Sequence, residues 1–155
     1  RAFPELFFIF VLGGEDPIDH LQRETLRDTS AELHPLLERI MRIHVTEEAR
    51  HLSFARHWLK RSVPRLGPVR RTILSIGAPL ILGEMGGLMM QPSKELVERY
   101  GIPRAVLREA YDDNPAYQAS AAVALRKVRV LCRDLGLINP VSRRLWQAKR
   151  IWADD

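Results

Sequence analysis

A single cysteine, Cys132, stands among 155 residues. One thiol excludes an internal disulfide framework and fits a reducing compartment, so a cytoplasmic location is expected. No stretch alternates apolar and polar residues with period two for long, which leaves little room for a sheet. There is no glycine-rich phosphate loop, no flavin or nicotinamide motif, no repeat and no low-complexity tract. A charged leader followed by a small-residue cleavage site is also absent, and the first residue is Arg1, so no signal peptide is expected. "LFFIFVL" at 6–12 is too short to cross a bilayer. "ILSIGAPLILGEMGGLMM" at 73–90 is long enough by count, but it carries Glu84, Pro79 and five Gly or Ala residues. It is expected to be a buried core helix, with no membrane partner.

The chain is 46% hydrophobic and 28% charged, a composition that folds around a core rather than staying disordered. The net charge of +5 is concentrated at 60–71, 126–134 and 143–150. These basic stretches lack interleaved aromatics and any nucleic-acid-binding motif, so they are read as solvated faces with no nucleic-acid partner.

Apolar positions recur at helical spacing almost throughout, which predicts an all-α protein of one helical domain over residues 1–155. A first helix runs through "PELFFIFVL", stops or bends at Gly13-Gly14, and resumes to about Arg27. Ser30 or Thr29 is expected to cap a second helix over about 31–62, with Pro35 free to kink it. A third helix covers about 69–90. Shorter ones follow at 93–99 and 103–112, then a long one at about 115–135 and a last one at 140–152 carrying Trp146 and Trp152.

The chemistry concentrates in "HVTEEARH" at 44–51. At about 100° per residue, His44, Glu48 and His51 project within a sector of roughly 60°. That sector is the apolar stripe of the second helix, whereas Glu47 falls on its flank. An inward carboxylate beside two imidazoles needs compensation, because an unpaired buried charge costs several kcal/mol. A metal ion compensates all three directly. A zinc-protease site is excluded, since its His-Glu-x-x-His signature would need a glutamate where Val45 stands.

Glu48-Ala-Arg-His51 is instead the Glu-x-x-His motif that dimetal carboxylate bundles place on a core helix, with a lone glutamate on the preceding antiparallel helix. Glu15, in "GGEDPIDH" and 29 residues before His44, is the candidate, with Asp19 one turn later as the substitute. Glu48 and His51 are expected to matter most to a bound metal, then His44, then Glu15, whose backbone follows two glycines. Glu84, amid apolar neighbours, is read either as an outer carboxylate or as exposed by a bend. Arg50 is read either as reaching an outer carboxylate or as a surface residue. Met85, Met89 and Met90 are read as core, His20 as a surface residue or an outer neighbour of the site, and His34 and His57 as surface or structural.

"GGEDPIDHLQRE" followed by "IMRIHVTEEARHLSFAR" resembles the second half of the p-aminobenzoate N-oxygenase family of diiron proteins. The resemblance implies a ferritin-like bundle, with Glu15 as the third-helix glutamate and His44, Glu48 and His51 as fourth-helix ligands. It implies a non-haem diiron oxygenase using O₂ to oxidise a small organic substrate, perhaps an arylamine nitrogen, with electrons from an external donor. Iron is the implied metal, manganese or zinc the alternatives.

The departure from the pattern is that only one Glu-x-x-His is present, so the first-half ligands are absent. The chain is therefore expected to be the C-terminal part of a protein about twice as long. Its partner would be that N-terminal half or a second copy, covering an apolar face that includes Phe7, Phe8 and Phe10. The competing reading is a helical interaction module that is metal-free or binds metal structurally.

Overall fold

The computed structural model describes residues 3–28 and 32–154, and every regular element among them is helical. The elements are α1 (Pro4–Arg27), α2 (Pro35–Ser62), α3 (Pro68–Met90), α4 (Lys94–Arg99), α5 (Arg104–Leu107), α6 (Pro115–Ala124), α7 (Arg126–Asp134) and α8 (Pro140–Ala148). A 3₁₀ turn at Val63–Arg65 joins α2 to α3, and a π turn at Arg108–Asp112 extends α5.

The first difference from the sequence reading is α1, which passes unbroken through Gly13-Gly14 and Pro17. Each glycine costs a helix interior about 1 kcal/mol relative to alanine. Here the missing side chain is used: a Cβ on Gly13 would lie 3.1 Å from Leu82 Cδ2 and 3.2 Å from Met85 Cβ. Gly13 thus lets α3 close on α1, and that packing outweighs the local propensity.

α2 begins at Pro35 rather than 31. His34 caps it, its ring accepting from the Leu36 amide, and Pro35 takes the first helical position, where a missing N–H is no loss. The expected caps Ser30 and Thr29 lie outside the described residues. The expected helix at 115–135 is two helices that part at Leu125. There the wholly buried Arg129 donates Nη1 to the carbonyls of Ala122 (2.8 Å) and Ile151 (3.0 Å), tying the break to the C-terminal segment. α8 stops at Ala148, since Arg150 adopts the left-handed region at φ 56°, and Trp152 follows in irregular chain.

α1 packs chiefly on α2 and α3. The core runs from Ile9 and Leu12 through Leu52, Ala55 and Leu59 of α2 and Leu74, Ala78 and Leu82 of α3. It continues to Leu125, Val128, Leu131 and Cys132, and ends on Trp146. Burial pushes the Cys132 thiol up to about 12, so it behaves as a small apolar side chain.

One expected burial does not hold: Leu37 and Ile40, which helical periodicity sets on the apolar stripe of α2, are exposed. Phe7 and Phe10 of α1, on the apolar face expected to be uncovered in this chain, are exposed. Phe8 is half-buried, packed edge-on to Phe54 at 5.7 Å and beside Trp58 at 5.5 Å. α3 is likewise only partly covered, with Ile73, Ile76, Leu80 and Leu88 in solvent. By length and composition alone, Pro68–Arg99 is apolar enough to cross a membrane. Its Leu74, Ser75, Ala78, Pro79, Leu82 and Met85 are buried against the other helices.

Candidate metal centre

α1 and α2 run antiparallel, and three contacts fix their register. Phe8 meets Trp58, Glu15 meets His51 at 3.7 Å, and Gln22 meets His44 at 2.9 Å. Each step is seven residues on both helices, two turns of an α-helix. This seven-residue register sets Glu15 across from His51.

Glu15, Glu48 and His51 each offer a donor atom within 4.8 Å of the others. Glu48 lies at the centre. Its Oε1 is 3.1 Å from His44 Nε2, and its Oε2 is 3.5 Å from His51 Nδ1. Glu48 is buried, whereas the His51 side chain is 59% exposed, so the cluster is closed toward the core and open on one side. His44 stands outside the triplet, joined to it through Glu48.

The electrostatics of the cluster are unbalanced. Glu15 Oε2 and Glu48 Oε2 are buried and have no hydrogen-bond partner. Burial first, then a hydrogen bond with Glu48 and the Glu48 charge, together raise the Glu15 carboxyl to about 7, against a lowering by His51. Two carboxylates at close quarters hold a proton between them for this reason. A divalent cation resolves the same conflict with both carboxylates ionised, and carboxylate with imidazole suits iron, manganese or zinc. The donor set fits a metal.

The sign of the pH effect follows. Because the folded Glu15 pKa lies above the ordinary 4.5, its contribution to the metal-free fold is fully present below about pH 4.5. That contribution is lost as the pH rises through about 7. A metal must displace this proton, so affinity should weaken as the pH falls below about 7, with proton release on binding. Calorimetry at pH 6 in two buffers of different ionisation heat measures that release; identical apparent enthalpies would refute it.

Asp19 does not serve as the substitute ligand. Arg23 Nε donates to both its oxygens at 2.8 and 2.9 Å, and Lys127 Nζ is 3.7 Å away. The neighbouring Asp16, which the sequence reading passed over, is buried and bonded to Arg56. Its carboxyl is raised by burial, opposed by Arg56. Adjacent inward acids in "EDPID" were the available signal. Arg50 and Glu47 pair with each other on the surface. Glu84 is exposed and held by Lys149, which lowers its carboxyl pKa, and it has no part in the cluster. His57 bonds within its own helix to the Ser53 carbonyl. Met85 is core, whereas Met89 is exposed.

A family model described as P-aminobenzoate N-oxygenase AurF matches residues 1–136. The chain belongs to this family. The AurF fold is a ferritin-like helical one, and the family is a diiron enzyme family. An uncharacterized protein of Mycobacterium bovis is 40% identical over 148 residues, covering 96% of this chain and 43% of the relative. An uncharacterized protein of Mycobacterium tuberculosis matches to the same extent, and one from a second strain of that species is 39% identical. The chain thus spans less than half the length of these relatives. No solved structure matches it.

Proposed function

We propose that these residues form the C-terminal portion of a non-haem diiron oxygenase that uses O₂ to oxidise a small organic substrate. An arylamine nitrogen is the substrate class that the family description suggests. The observation that carries the reading is the triplet Glu15, Glu48 and His51, with two buried carboxylate oxygens left without hydrogen-bond partners. Glu15, His44, Glu48 and His51 would hold metal.

Iron bound there would supply O₂ activation, with electrons from an external donor, since the sequence carries no flavin or nicotinamide motif. The chain's own residues prepare the site. Glu48 spans the two histidines with its two oxygens, and Glu15 gives up its proton. Iron analysis and an O₂-dependent product assay on the full-length protein test the proposal; a metal-free, inert protein would end it.

The competing reading, a helical interaction module that is metal-free or binds metal structurally, draws on His44. Both its ring nitrogens already have protein partners, Gln22 and Glu48. The orphaned oxygens of Glu15 and Glu48 weigh against it. A cytoplasmic location accords with the lone, buried thiol of Cys132.

Phe7, Phe10, Phe54 and Trp58 are all exposed, and large apolar side chains gathered on one face mark a surface that a partner covers. The remainder of the longer protein, or a second copy, would cover it. Expressed alone, the 155-residue chain should therefore associate at micromolar concentration in sedimentation velocity, and a monodisperse monomer would contradict this.

A further inference from the structure

The contact that the metal triplet leaves unused is the Gln22–His44 pair. Gln22 Oε1 lies 2.9 Å from His44 Nδ1, between residues 22 apart in sequence and partly shielded from solvent. With Oε1 as acceptor, Nδ1 carries the hydrogen, and Nε2 presents its lone pair toward Glu48 Oε1 at 3.1 Å. Two acceptors facing one another at that distance need either a proton or a metal ion between them. Imidazole ligands characteristically donate their second N–H to an oxygen that fixes ring orientation and tautomer.

Gln22 is placed for this by register. It follows Glu15 by seven residues on α1, as His51 follows His44 on α2. The two helices thus meet in successive contacts two turns apart, first Glu15 with His51, then Gln22 with His44. Other groups on this part of α1 are engaged elsewhere: Arg23 with Asp19, and Thr25 with the Leu21 carbonyl.

We infer that Gln22 is a positioning residue that holds His44 in the Nδ1–H tautomer and aims Nε2 at the metal beside Glu48. The inference rests on the metal reading proposed above, and its test separates the two. In the full-length protein without metal, ¹⁵N-histidine spectra report the His44 tautomer, identified by comparison with His44→Ala. Wild type should show Nδ1–H, and Gln22→Leu should show a mixture with Nε2–H. Zinc affinity, measured by competition with a chelator, should fall roughly 10-fold or more in Gln22→Leu, the scale seen when such outer partners are removed. Gln22→Glu keeps the acceptor and should restore both the tautomer and the affinity.

If His44→Ala weakens zinc binding while Gln22→Leu keeps both wild-type tautomer and wild-type affinity, the inference alone is overturned. If His44→Ala leaves zinc affinity unchanged, His44 is not a ligand, and the metal role of both residues falls together.

Discussion

Replacing Glu48 by alanine should empty the metal centre of the full-length protein, while His44→Ala should lower occupancy only in part. Glu48 is the one side chain whose two oxygens face both histidines, at 3.1 and 3.5 Å, and it lies in the triplet with Glu15. Its loss removes a ligand, a negative charge and the link from His44 to the rest. It also leaves Glu15 without the neighbour that contributes to raising its pKa to about 7, so Glu15 should titrate closer to its ordinary range. His44 is joined to the cluster only through Glu48. The geometry also moves Glu15 ahead of His44: α1 is continuous across Gly13-Gly14, so the Glu15 backbone is as firmly placed as that of α2. Metal content by mass spectrometry on Glu15→Ala, His44→Ala, Glu48→Ala and His51→Ala decides the order. Unchanged occupancy in both Glu48→Ala and His51→Ala would reject the site.

Arg56→Ala should produce the largest loss of stability that leaves every proposed ligand intact. The Asp16 side chain is 1% exposed, its Oδ2 already lacks a partner, and Arg56 is its hydrogen-bonded counter-charge. Removing one member of a buried pair strands the other and costs about 3–5 kcal/mol. Lys127 acts on Asp16 only through its charge and does not replace the hydrogen bond. Burial already raises the Asp16 carboxyl and Arg56 opposes the rise, so without Arg56 the carboxyl should move higher still. The folded state of the variant then gains protons as the pH falls, so its deficit should narrow at low pH and widen above neutrality. Urea unfolding of wild type and variant at pH 5 and pH 8 measures both effects. Adding Asp16→Asn to Arg56→Ala should recover part of the loss. A deficit below about 1 kcal/mol at pH 8 would place this pair with ordinary surface bridges.

The α1–α2 hairpin and the face carrying His44, Glu48 and His51 were legible because both depend on spacing. Helical periodicity sets which side chains share a side, and one short connection makes the neighbouring helix antiparallel. Glu15 follows from the same logic, and so does Gln22 once the seven-residue step is noticed. Asp19 shows the limit of that logic, since it shares the Glu15 face by spacing yet is drawn away by Arg23 and by Lys127, more than a hundred residues on.

Fold class, the helix face carrying His44, Glu48 and His51 and the pairing of acid with imidazole were thus determined by the sequence alone, because each rests on local periodicity. Only the tertiary structure decided that Gly13-Gly14 does not break α1, since the deciding contacts come from Leu82 and Met85 on α3. The same holds for the break at Leu125, where Arg129 reaches carbonyls in two separate segments. Which part of the apolar stripe is buried was also a tertiary matter. Ile40 and Leu52 read alike in sequence, but only Leu52 joins the buried core, because burial depends on what packs opposite rather than on the residue itself.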